Sequence, residues 1–146
     1  YTVVQTIMYD DPCSLHEDEA IKKEWVDDEM TWNDVYSKKA VEYLSKFSSD
    51  DEILAPLAKG NIGDAFVQLN QLDDALDYYE QAAKMRDNEY TTPMYLYKAG
   101  TISLDLGKAD KALTYFETIK EKYQNASEMA MVEVLLGKAK VMANKY

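Results

Sequence analysis

Residues 56–92 and residues 93–129 lie over one another in sequence without a gap, a self-similarity of period 37 that constrains the fold more than any other feature. The register pairs Pro56 with Pro93, Gly63 with Gly100, Leu69 with Leu106, Asn70 with Gly107, Ala75 with Ala112, Leu76 with Leu113, Tyr78 with Tyr115, Tyr79 with Phe116 and Glu80 with Glu117. The stretch LDDALDYYEQA at 72–82 thus returns as ADKALTYFETI at 109–119. A unit that recurs whole cannot bury its apolar face alone, so copies are expected to stack on one another. Gly137 stands a further 37 residues beyond Gly100, which makes the last helix the first half of a third unit.

The material of these units points to helices. Five glycines and three prolines in 146 residues leave little for the turns of an all-β fold, and 47% hydrophobic content supports one continuous core. Apolar residues recur at three- and four-residue steps. A helix is expected from Asp34 to Phe47, buried through Ala40, Val41, Leu44 and Phe47. The next carries Ile53, Leu57, Ile62, Phe66 and Leu69, is opened by a Ser49–Glu52 capping box, and ends at Asn70, a residue that tolerates the left-handed conformation. Further helices are expected from Asp73 to Arg86, from Pro93 to Gly107, from Asp110 to Tyr123 and from Ser127 to Asn144. Thr92 would cap the helix that Pro93 opens in its first position, and Ser127 would cap the last.

Ahead of them, residues 1–9 (YTVVQTIMY) read as an extended segment or short strand. It would lie along a helical surface, pair with another chain, or belong to structure further upstream; a chain that begins at Tyr1 rather than methionine is expected to continue upstream. Asp10-Asp11-Pro12 signals a turn, and Ser14-x-x-Glu17 opens a weakly amphipathic helix over Leu15 to Glu29.

Charge and chemistry narrow the function. The net charge is −11, with −9 held by residues 1–52 and −2 by the remainder. So acidic a chain repels phosphate backbones and anionic lipid, which argues against nucleic acid and against a polybasic membrane contact. No stretch reaches the roughly 18 apolar residues of a membrane span. The single Cys13 cannot form an intrachain disulfide, and His16-Glu17 lacks the second histidine of a zinc helix. The acidic runs Asp10-Asp11 and Asp27-Asp28-Glu29 lack the alternating ligands and glycine of a calcium loop. No phosphate-cradling loop and no nucleophile with its base is present, so no cofactor, metal or catalytic residue is expected and the chain does not read as an enzyme. Asn125-Ala126-Ser127 has the form of a glycosylation sequon.

Gly63-x-x-Phe66, Ala75-x-x-x-Tyr79 and Ala82, followed by Gly100, Gly107 and Ala112-x-x-x-Phe116, resemble the tetratricopeptide repeat in order and spacing. The resemblance covers residues 56–144 and extends loosely over 38–47. Residues 48–123, with FSSDDEILAPLAKGNIGDAFVQL and TTPMYLYKAG, look like the membrane-anchored repeat proteins of bacterial cell envelopes, whose repeat domain is periplasmic. The resemblance implies an all-α fold, a right-handed solenoid of antiparallel helix pairs. The expected organisation is an acidic extension over 1–33 and a solenoid over 34–146. The solenoid comprises a partial repeat at 34–47, repeats at 51–87 and 93–123, and a terminal capping helix at 127–144.

The resemblance further implies a binding groove lined by the first helix of each repeat. Carried over by position, its residues are Leu57, Gly60, Asp64 and Val67, then Met94, Tyr97, Thr101 and Leu104, then Met131, Val134, Lys138 and Val141. Such a trough suits a helix or extended apolar peptide. The carboxylate-clamp variant needs Lys and Asn where this chain has Gly60 and Asp64, and is not expected. Among the tyrosines, Tyr78, Tyr79, Tyr115 and Tyr123 fall at packing positions, whereas Tyr90, Tyr95 and Tyr97 gather around Pro93 as interface candidates. The implied function is a non-catalytic scaffold or chaperone-like adaptor with a protein or peptide partner. The alternative is a homo-oligomer assembled through the terminal helix or the 1–9 segment.

Overall fold

The computed structural model describes residues 31–145. The expected strand at 1–9, the helix at Leu15–Glu29, Cys13 and His16 lie outside the described residues. Among the described residues six α-helices follow one another: α1 (Trp32–Ser45), α2 (Leu54–Gln68), α3 (Leu72–Met85), α4 (Thr91–Asp105), α5 (Ala109–Lys122) and α6 (Met129–Met142). Each packs on the helix before and after it, and α2 also touches α4 as α4 touches α6. The described residues therefore form an all-α solenoid, with α2, α4 and α6 as one layer and α1, α3 and α5 as the other.

Two core clusters repeat along the stack. One gathers Ala75, Leu76, Tyr79 and Ala82 of α3 with Tyr95, Ala99 and Ile102 of α4; the other gathers Ala112, Leu113, Phe116 and Ile119 of α5 with Val132, Leu136 and Ala139 of α6. Glycine sets the close approach of the helices. A Cβ on Gly63 would stand 2.7 Å from the Tyr79 ring, and one on Gly100 would stand 2.5 Å from the Phe116 ring. The two contacts are the same contact one period apart.

The helix ends repeat as well. Asn70, Gly107 and Asn144 all adopt positive φ, at 56°, 72° and 56°. Behind each, the amide of the next residue reaches back five residues: Gln71 to the Phe66 carbonyl at 2.9 Å, Lys108 to Ser103 at 2.7 Å, and Lys145 to Lys140 at 2.8 Å. These are Schellman stops, and they satisfy carbonyls that the helix leaves open. Exposed ion pairs follow the same register, Lys108 to Asp73 at 2.7 Å and Lys145 to Asp110 at 2.5 Å.

Several local expectations change. α1 opens at Trp32, because the Thr31 hydroxyl accepts from the Asp34 amide while the Asp34 carboxylate accepts from the Thr31 amide. Its buried residues are Val35 and Ser37; Ala40, Val41 and Leu44 are half-buried, and Phe47 lies past the helix end and is 49% exposed. Among the described helices only α2 packs on it closely, and one neighbour covers a narrow strip.

The cap before α2 is Asp51 rather than a Ser49–Glu52 box. Its carboxylate accepts from the amides of Ile53 and Leu54, both at 2.8 Å, and those donors hold its pKa below the ordinary carboxylate value. Asn88, one period later, does the same for Tyr90 and Thr91 at 2.9 and 2.7 Å. Helix α4 therefore starts at Thr91, and Pro93 is its third residue, still within the first turn where amide hydrogens have no intrahelical acceptor. The expected Ser127 cap is not made: α6 starts at Met129 and no side chain caps it.

Candidate peptide-binding face

Because α2, α4 and α6 share one layer, residues at matching positions on them form one surface. Its centre is a shallow apolar hollow of about 150 Å³ lined by Val67, Tyr79, Tyr97, Lys98, Thr101 and Ile102. Three expected groove residues, Val67, Tyr97 and Thr101, meet there, all half-buried. The Thr101 hydroxyl donates to the Tyr97 carbonyl at 3.0 Å, which leaves its methyl group as available apolar surface.

Beside the hollow stands an ion pair made of Asp64, an expected groove residue, and Lys98, which sequence reasoning did not name. The Lys98 ammonium donates to the Asp64 carboxylate at 2.8 Å, and the buried Tyr79 hydroxyl donates to the same oxygen at 2.5 Å. Lys98 also lies 5.5 Å from the Tyr79 ring centre and 5.8 Å from that of Tyr95, and the two rings stack at 6.1 Å. Burial first, then the bond to Asp64, pushes the Tyr79 phenol far above its ordinary pKa. Burial and the Asp64 charge push Tyr95 up to about 12. Lys98 and Asp64 keep 35% and 43% of their side chains exposed, so the pair is open to solvent and contributes little to stability.

Asp64 also borders a second, more polar hollow between α1 and α2, of about 380 Å³, with Asn33, Tyr36, Ser37, Asn61 and Gln68 on its walls. The Tyr36 hydroxyl is buried without a hydrogen-bond partner, and burial raises its pKa. An apolar hollow, an ion pair and a polar hollow thus follow in sequence along the face.

The other expected residues spread more widely. Leu57 and Met94 are half-buried and pack against the core of α3 and α4. Gly60 and Leu104 are buried. Gly60 supplies space rather than surface, since the Tyr95 ring lies 2.0 Å from where its Cβ would be. In the next repeat the sizes are exchanged: Tyr97 takes the Gly60 position and Val132 takes that of Tyr95, and Tyr97 packs on the cluster containing Val132. Met131, Val134, Lys138 and Val141 are all exposed on α6. Of the tyrosines grouped as interface candidates, Tyr90 is 79% exposed and Tyr97 half-buried, whereas Tyr95 is 1% exposed and belongs to the core.

Among the described residues no three His, Cys, Asp or Glu side chains gather to hold a metal, and no helix is long and apolar enough to cross a membrane. The stack of helix pairs, with its glycine–ring contacts and periodic stops, makes the described residues a helical-repeat solenoid like that of tetratricopeptide repeats. Comparison with family profiles matches residues 58–89 to the tetratricopeptide repeat, a span from within α2 to the loop before α4. Repeats of this kind in general mediate protein–protein interaction and serve as non-catalytic scaffolds. Neither the curated proteins nor the solved structures gave a match to the chain.

Proposed function

We propose that this chain is a non-catalytic scaffold or adaptor that holds a peptide or helix of a partner protein on the face formed by α2 and α4. The observation that carries the reading is the apolar hollow of Val67, Tyr97, Thr101 and Ile102 with the Lys98–Asp64 pair at its edge. An apolar side chain of the partner enters the hollow, while Lys98 and Asp64 offer one charge of each sign to its polar groups. The groove set from Leu57 to Val141 describes the longer trough around this centre. Placement at a bacterial cell envelope, on the periplasmic side of the inner membrane, rests on the resemblance of residues 48–123.

The test is capture of partners by immobilised chain. Thr101→Arg fills the hollow from a half-buried position, and Val67→Glu places a charge in it. Both are expected to lose the captured proteins at unchanged helicity by circular dichroism. Capture that survives both substitutions would place the binding surface elsewhere.

A further inference from the structure

Where the C-terminal ends of α1 and α3 meet α2, a hollow of about 270 Å³ is lined by Leu44, Phe47, Ala58 and Met85, with Lys59 and Arg86 in the same wall. The register explains why it is open. One period later Ala58 becomes Tyr95 and Arg86 becomes Tyr123, both buried rings, and Lys59 becomes the apolar Leu96. All three helices around the hollow are described, so the space comes from small and charged residues in place of rings rather than from a neighbour that the chain end leaves out. Its apolar lining stays partly bare, with Phe47 49% and Met85 37% exposed. Its charge is one-sided in a chain of net charge −11: among the described residues no carboxylate lines it, and neither Lys59 nor Arg86 makes an ion pair. Lys59 lies 5.5 Å from the Tyr78 ring centre, and Asp50, the register counterpart of the Asp87 that receives the Tyr123 hydroxyl, is exposed and unpaired with Arg86.

We propose that the hollow is the docking site of this chain's own segment Ile7-Met8-Tyr9-Asp10-Asp11, which lies outside the described residues. Size, charge and reach each select it. The hollow lacks the rings that close the next repeat, and Tyr9 supplies one, with Ile7 and Met8 to cover Phe47 and Met85. Asp10 and Asp11 bring two carboxylates to the two unpaired cations, Lys59 and Arg86. The hollow opens at the C-terminal end of α1, a helix of 14 residues and so roughly 21 Å long. The helix expected over Leu15–Glu29 has a like length and is joined to α1 by a short link. Laid antiparallel along α1, as each described helix lies along the next, it brings Asp11 to that end. The segment thereby does for the first repeat what Tyr95 and Tyr123 do for the second, and it leaves the hollow between α2 and α4 untouched.

Cys13 is the single cysteine of the chain and stands next to this segment, so a nitroxide label can be placed there without any substitution. In the full 146-residue chain the nuclear magnetic resonance signals of the Ser45, Phe47, Ser48 and Arg86 amides are expected to be lost beside the label and to return when it is reduced. Those of Lys108 and Lys145, at the opposite ends of the helices, are expected to persist throughout. Arg86→Glu reverses an exposed charge, and Asp10→Lys with Asp11→Lys reverses its complement; each is expected to restore the hollow's signals at unchanged helicity. The three changes together re-pair the charges and are expected to lose the signals again. Hollow signals that persist beside the label in the parent chain, or that stay lost in both charge reversals, would overturn the proposal. Loss passed from a labelled chain to a separate, isotope-enriched chain would also overturn it, by assigning the hollow to a second copy.

Discussion

The ring of Tyr95 fills the space that a side chain on Gly60 would need, with ring atoms 2.0 Å from the Cβ position. Tyr95 is 1% exposed and stacked on Tyr79, so it has nowhere to retreat. Gly60→Ala is expected to destabilise the chain by about 1–3 kcal/mol through overpacking. Gly137→Ala is the matched control: nothing stands near its Cβ position, and the gain in helix propensity is expected to stabilise by up to about 1 kcal/mol. Thermal unfolding followed by circular dichroism should move the two midpoints in opposite directions; a neutral Gly60→Ala would show that the ring is not held.

Asn88 performs several tasks in the loop before α4. Its side-chain oxygen receives the Tyr90 and Thr91 amides, and its side-chain nitrogen donates to the carbonyls of Glu52 and Arg86 and to the Thr91 hydroxyl. The bond to Glu52 joins this loop to the one before α2. Asn88→Ala is expected to cost about 1–2 kcal/mol, at the upper end for a lost cap. Asn125 holds the same repeat position but α6 has no side-chain cap, so Asn125→Ala is expected to fall within about 0.5 kcal/mol of the parent. Denaturant midpoints of the two variants give the comparison, and equal losses would refute it.

The repeat and its helices were legible because small and aromatic residues recur at a fixed distance. What escaped was set by partners far along the chain. Tyr95 resembles an interface residue beside Tyr90 and Pro93; its burial depends on Gly60, 35 residues earlier. Lys98 enters the candidate site through Asp64, 34 residues away. Local Ser–Glu and Thr–Pro patterns point to caps that do not form, whereas the register relates the two that do, Asp51 and Asn88, and the three stops, Asn70, Gly107 and Asn144; Asn125 shares the register without capping α6. For α1 the spacing of Ala40, Val41, Leu44 and Phe47 predicts a buried face, yet burial depends on how many neighbours cover a helix, and among the described helices only α2 packs on it closely.

The three helix stops invite a direct test. Asn70 holds φ at 56° and closes α2 through its own amide on Val67 at 3.0 Å and that of Gln71 on Phe66. A Cβ-bearing residue without the polar side chain of Asn is strained there, so Asn70→Ala is expected to cost about 1–2 kcal/mol. Asn70→Gly removes that strain and should be neutral or slightly stabilising, as Gly107 already occupies the same position one period later. Equal stability of the alanine and glycine variants would argue against the left-handed stop.

The buried phenols make the fold sensitive to alkali rather than to mild acid. Burial, followed by the bond its hydroxyl donates to Asp87, pushes Tyr123 up to about 12, where Tyr95 also lies; Tyr79 and Tyr115 are raised as well by burial and by their bonds to Asp64 and Glu80. In each case the folded pKa lies above the ordinary tyrosine value of 10.0, so the fold favours the neutral phenol. The stabilisation is complete below that value and is lost as pH rises through the folded pKa, since the unfolded chain releases its protons first. Helicity is therefore expected to hold to about pH 10 and to fall as pH approaches 12. Phenolate ultraviolet absorbance measured alongside circular dichroism should show two groups of tyrosines, the second ionising only as helix is lost. Tyr123→Phe keeps the ring but removes the ionisable group, and is expected to shift the alkaline midpoint upward. A single ionisation of all tyrosines near pH 10 with helicity intact would show that these phenols are not sequestered.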